Sequence, residues 1–154
     1  MNSFSVSAIG AVCNERKTPV DDYWGKVLSE IKLDQELDIS CLDGIDSFSH
    51  LEIIFLFHLI EDDKIQYISR HPRNNKEFPK VGIYAQRGKN RPNKIGATIV
   101  KLIKRKGRSL FVSGLDAIDG TPVLDIKPVM NEFLPKGEIK QPQWSTELMA
   151  NYWE

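Results

Sequence analysis

Ala97-Thr98-Ile99-Val100-Lys101-Leu102-Ile103-Lys104, Arg105-Lys106-Gly107-Arg108 and Ser109-Leu110-Phe111-Val112-Ser113 form one continuous stretch, and its reading decides the fold. Both flanks are rich in β-branched and aromatic residues, and the four residues between them carry a Gly that can take a positive φ, so the stretch reads as a β-hairpin. Working outward, Pro122 to Lys127 is a further short strand closed by Pro128, and Val81 to Gln86 is another. Leu51 to Leu59 is dense in Ile and Phe, as expected of a strand buried on both faces. Asp43-Gly44 supplies a turn before it. Lys26 to Leu33 alternates, with Val27, Ser29, Ile31 and Leu33 on one face, and Ser5 to Val12 is β-compatible with an interruption at Gly10. Six or seven short strands with turn signals predict a mainly antiparallel sheet, and a small barrel is one way to finish it. No strand-loop-helix unit carries G-x-G-x-x-G, so a Rossmann-type nucleotide site is not supported. Near the end, Ser145 is a candidate N-cap, with Leu148, Met149 and Tyr152 spaced for one face of a short helix.

The chain has 154 residues, the size of one domain, which can bury roughly two thirds of its unfolded surface without disulfide or metal. Cys13 and Cys41 stand apart and are expected to be reduced core thiols. The longest apolar run, Leu51 to Ile60, is interrupted by Glu52 and His58 and is well short of the ~20 residues of a membrane span. The start, Met1-Asn2-Ser3-Phe4, lacks the features of a signal peptide, and a cytoplasmic protein is expected. The formal net charge of zero hides a segregation: Arg70 to Arg108 holds 13 basic residues and one acidic, and the rest of the chain 8 and 20. Such a segment can form a positive face for a polyanion, or its cations can simply be solvated.

Two segments carry candidate chemistry. Gln86-Arg87-Gly88-Lys89-Asn90-Arg91-Pro92-Asn93-Lys94-Ile95-Gly96 joins two expected strands. Pro92 stiffens it, the glycines admit close backbone approach, and arginines suit carboxylate or phosphate recognition. An ordinary exposed loop could have the same composition. Gly114 to Pro128 contains the turn signal Asp119-Gly120-Thr121-Pro122 and three carboxylates, Asp116, Asp119 and Asp125. Their spacing is not that of a calcium loop, so no metal is expected, and acceptors around a polar ligand are the preferred reading. His50, His58 and His71 are scattered and read as structural when taken alone.

Three blocks in register resemble the TrmO-type (YaeB-type) tRNA methyltransferase family. They are Phe48-Ser49-His50-Leu51 with Ile53 to His58; Gly82-Ile83-Tyr84-Ala85-Gln86-Arg87 through Asn90-Arg91-Pro92-Asn93 to Ile95-Gly96; and Leu115-Asp116 through Asp119-Gly120-Thr121-Pro122-Val123 to Asp125-Ile126-Lys127-Pro128. Ala8-Ile9-Gly10 is similar too. The resemblance implies a small single-sheeted antiparallel β-barrel methyltransferase fold with short helices, unrelated to Rossmann methyltransferases. It implies S-adenosyl-L-methionine as cofactor, a homodimer, and N6-methylation of threonylcarbamoyladenosine next to the anticodon of tRNA. The cofactor contacts it implies are His58, Leu59, Arg87, Ile95, Gly96, Ala97, Leu115, Asp116, Ala117, Ile118 and Asp119, with Pro19 to Tyr23 as an early contacting loop. Lys89, Arg91, Asn93 and Lys94, inside the basic segment, are the expected RNA contacts, and Asp119 and His58 are the candidates for a proton acceptor. Residues 1–135 are expected to form the barrel domain and 136–154 a C-terminal extension with a short helix, without the separate C-terminal domain of longer bacterial members. Trp144, Tyr152 and Trp153 in that extension either stack on bases or pack on the barrel or an interface. The same barrel could also methylate another substrate, or bind S-adenosylmethionine as a non-catalytic regulatory module.

Overall fold

The computed structural model describes all residues from Met1 to Glu154. The strands are β1 (Gly10–Cys13), β2 (Leu28–Leu33), β3 (His50–Leu56), β4 (Ser69–Arg70), β5 (Val81–Gly82), β6 (Ile95–Lys106), β7 (Ser109–Ser113) and β8 (Pro122–Pro128), followed by one short helix, α1 (Gln143–Leu148). Six of the strands close into a barrel in the order β1-β2-β7-β6-β3-β8, while β4 and β5 form a small separate ladder. Every pairing in the barrel is antiparallel. The sheet therefore closes, the option that composition and turn spacing alone left open.

Closure depends on the length of β6. Its first part, Ile95 to Lys101, pairs with β3, and its last part, Lys101 to Lys106, pairs with β7. An irregularity between Leu102 and Lys104 falls where the strand changes partner, and such a bulge bends and twists a strand as a small barrel requires. The hairpin end is tighter than expected: Lys106 pairs with Ser109, so the turn is Gly107-Arg108 alone, with Gly107 at φ 59. A positive φ at the first turn position matches the twist of the flanking strands.

The core follows the period of two. Leu51, Ile53 and Phe55 of β3, Ile31 and Leu33 of β2, Val100 of β6 and Leu110 and Val112 of β7 all point inward and are buried. Val12, Leu42, Leu115, Ala117 and Val123 complete the cluster. The alternating side chains Glu52, Ile54 and Leu56 are only half-buried, so β3 is covered fully on one face rather than two. Across from Phe55, Gly96 leaves room for the ring: a Cβ there would lie 2.5 Å from its carbons.

Four further expectations are corrected. The first strand starts at Gly10 and not at Ser5, because the backbone finds partners only from Ile9, which donates to Val123 O at 2.8 Å and accepts from Asp34 N at 2.8 Å. Val81 to Gln86 is a strand only over Val81–Gly82; Ile83–Ala85 turns into a 3-10 helix that buries Ile83. Helix α1 starts at Gln143, and Ser145 is no cap but donates from inside the first turn to Pro142 O at 2.7 Å. Cys13 and Cys41 are unpaired thiols as expected, but both are exposed rather than in the core. No helix is long and apolar enough to cross a membrane.

Candidate functional site

A cleft of about 1600 Å³ opens at the end of the barrel where β6 begins. It is larger than the roughly 300–1,000 Å³ of a single small-ligand site, which leaves space for a second reactant. Its floor is the start of β6, and its rim is made of loops far apart in sequence: Pro19 to Trp24, Phe57 to Ile60, Arg70 to Asn74, Val81 to Arg91 and Asp116 to Ile118. The segment from Gln141 to Trp153 supplies another wall.

Most of the expected cofactor residues converge here. His58, Leu59, Arg87, Ile95, Gly96, Ala97, Asp116, Ala117 and Ile118 all line the cleft. Two do not. Leu115 is wholly buried in the hydrophobic core. Asp119 faces the opposite side of its turn, where it pairs with Lys17 at 2.7 Å and accepts from Asn14 N at 3.0 Å. The Lys17 hydrogen bond, then the Asn14 N–H, holds the Asp119 carboxyl below the usual carboxylate range. These contacts tie the turn, in which Gly120 takes φ 77 and Thr121 N donates to Ile118 O at 3.2 Å, to the segment after β1.

The expected RNA residues divide in the same way. Lys89 and Arg91 reach the cleft, whereas Asn93 and Lys94 do not line it. Asn93 and Lys94 take φ 65 and φ 53, and Lys94 Nζ is anchored to Ile60 O at 3.1 Å and Asp62 Oδ1 at 3.0 Å. Arg91 Nη1 donates to Gln86 O at 2.9 Å, bracing the loop from within.

Among the rim cations Arg87, like Arg70 and Arg91, has one side-chain hydrogen bond and no ion pair. Its Nη2 donates to Ala97 O at 2.6 Å, on the edge of β6, and no carboxylate lies within ion-pair distance. Arg73, by contrast, grips Asp22 through Nη1 at 3.0 Å and Nη2 at 2.7 Å, and Lys89 stands 3.8 Å from Asp21. The carboxylates lining the cleft are Asp21, Glu52 and Asp116. Asp116 accepts hydrogen bonds from the hydroxyls of Thr98 and Tyr152, one on each oxygen. Apolar surface comes from Trp24, Phe57, Leu59, Ile95 and Ile118.

Sequence reasoning missed Thr98, Glu52, Arg73, Trp24 and Tyr152 as cleft residues. Their proximity is tertiary: the Tyr152–Asp116 bond spans 36 residues and the Arg73–Asp22 pair 51, and no local pattern encodes either.

A large cleft against a closed six-stranded antiparallel barrel defines a non-Rossmann, barrel-based binding domain. A family model described as the tRNA-methyltransferase O N-terminal domain matches residues 12–133, and the chain belongs to that family. It is 38% identical over 110 residues to the human tRNA (adenine(37)-N6)-methyltransferase, a match covering 71% of this chain and 24% of that protein. It is 33% identical over 127 residues to a probable S-adenosyl-L-methionine-binding protein of Methanothermobacter thermautotrophicus, covering 80% of this chain and 88% of that one. The crystal structure of TrmO from Pseudomonas aeruginosa superposes with a TM-score of 0.74 at 27% identity, over 94% of this chain and 62% of that one. The matched segment amounts to only 21%, 24% and 39% of the mouse, human and first Pseudomonas relatives.

Proposed function

We propose that this chain is an S-adenosyl-L-methionine-dependent methyltransferase that N6-methylates threonylcarbamoyladenosine beside the anticodon of tRNA. The observation that carries the reading is the presence, in one cleft, of an Arg87 guanidinium with no acidic partner and an Asp116 carboxylate held in place by two hydroxyls. The family membership and the names of the mammalian relatives support the same substrate.

The residues present fit the methyl donor. Arg87 suits its carboxylate, since a guanidinium presents paired donors. Asp116 suits its ammonium or ribose hydroxyls, and Leu59, Ile95 and Ile118 offer apolar cover for adenine. When bound, the donor supplies a methyl group already activated by a positive sulfur. The protein's share is then to hold donor and acceptor in line, and the rim loops do this by enclosing both from several sides. The acceptor nitrogen must also lose a proton. Of the two candidates for that task, His58 faces the cleft and Asp119 is engaged elsewhere, so His58 is retained. Arg70, Lys89 and Arg91 on the rim suit the RNA phosphates.

A second reading is favoured by the Methanothermobacter thermautotrophicus relative, whose name states binding alone and of which this chain spans 88%. One assay separates the possibilities: methyl-labelled donor incubated with total tRNA or with a small-molecule extract. Label in tRNA is expected. Label only in the extract points to another substrate, and donor binding with no transfer points to a non-catalytic module. The proposal includes cytoplasmic residence, where the two unpaired thiols would stay reduced, and a homodimer.

A further inference from the structure

The wall formed by residues 141–153 lies beyond the segment that the family model matches, 12–133. It is not loosely attached. Tyr23 N donates to Asn151 O at 3.1 Å and Trp24 N to Tyr152 O at 2.8 Å, so the chain end adds as a short ladder to the loop before β2. Gly25 permits the approach, because a Cβ at that position would overlap the Trp153 carbonyl. Tyr152 and Trp153 meet edge to face at 4.8 Å between ring centroids.

This docking delivers the Tyr152 hydroxyl to Asp116 Oδ2, while Thr98 delivers its own to Oδ1. Burial, then the adjacent Asp116 charge, pushes the Tyr152 phenol well above its ordinary range, so it remains a hydrogen-bond donor at every physiological pH. The terminal torsion of an aspartate is broad and roughly two-fold, so an unheld carboxylate samples many orientations. Two donors, one per oxygen, remove that freedom. A carboxylate offers about four lone-pair sites, and each Asp116 oxygen therefore keeps one for a ligand in the cleft.

We propose that Tyr152 is a positioning residue, which fixes Asp116 as a two-oxygen acceptor for paired ligand donors such as a vicinal diol or a primary ammonium. On this view residues 141–153 are a working wall of the site. The inference rests on the methyl-donor reading and extends it to a part of the chain that the family match does not reach.

The test is a double-mutant cycle on the full chain: wild type, Tyr152→Phe, Asp116→Asn and the double variant, each titrated calorimetrically with S-adenosylhomocysteine. Thermal unfolding of each is recorded alongside. Tyr152→Phe keeps the ring and removes only the hydroxyl. It is expected to weaken binding about tenfold with Asp116 present, and less than twofold in the Asp116→Asn background. Equal losses in both backgrounds would mean that Tyr152 acts by packing, and would overturn the proposal; so would unchanged affinity in Tyr152→Phe. Failure of the wild-type chain to bind S-adenosylhomocysteine would overturn the methyl-donor reading itself, and the inference with it.

Discussion

Arg87 concentrates the chemistry at the residue scale. Its guanidinium is exposed at the rim, tied by one hydrogen bond to Ala97 O and otherwise free to meet an anion. Replacing it with Ala is expected to weaken donor binding by about 1.5–3 kcal/mol, the worth of a hydrogen bond to a charged group. Calorimetric titration reads this directly, and unchanged affinity would remove Arg87 from the site. Arg87 was legible from sequence because it sits in a loop of unusual composition between two strand-like segments. Asp119 shows the limit of that kind of reading. Its turn, with Gly120 at φ 77, was legible from Asp119-Gly120-Thr121-Pro122. The direction of its carboxylate was not, because the partners that turn it away, Lys17 and Asn14, lie about a hundred positions earlier in the chain.

At the scale of elements, the hairpin of β6 and β7 was the clearest feature of the sequence, because a Gly between two β-rich runs has a local cause. The reach of β6 was less legible. Its first two positions were assigned to the loop, yet Ile95 and Gly96 pair with Leu56 and Phe55 and form the floor of the cleft. The ends were least legible. Ser5 to Ala8 has strand composition but no partner, and the docking of the chain end onto the loop before β2 rests on Gly25, a residue with no visible pattern around it. Gly25→Ala is expected to break this ladder. The amides of Tyr23 and Trp24 would then lose their acceptors and exchange hydrogen at least about tenfold faster, while β3 amides keep their protection. Equal protection of Tyr23 and Trp24 in both proteins would contradict the role given to Gly25.

For the molecule as a whole, the basic segment from Arg70 to Arg108 does two kinds of work. Part of it is structural. Arg105 donates to Leu42 O at 2.8 Å and Arg108 to Leu37 O at 2.6 Å, holding the Asp34 to Asp43 loop at the hairpin end, roughly 20 Å of strand beyond the cleft. Arg73, Lys89 and Lys94 face carboxylates. Arg70, Arg87 and Arg91 remain as rim cations without an acidic partner. The segregation of charge was thus visible in the sequence, but not which cations the fold consumes. Along β6, Ile95 and Ile99 line the cleft, whereas Ile103 is exposed outside it, an apolar position that supports the proposed homodimer. Light scattering is expected to give a dimer mass that falls to that of a monomer when Ile103 is replaced by Lys; a monomeric wild-type chain would contradict it.

The most direct measurement is nucleoside mass spectrometry of tRNA bearing threonylcarbamoyladenosine, after incubation with the purified chain and S-adenosylmethionine. The expected result is conversion of that nucleoside to its N6-methylated form, reduced by Arg87→Ala. Unmethylated threonylcarbamoyladenosine under conditions where the chain binds the donor would contradict the assignment of this cleft to tRNA methylation.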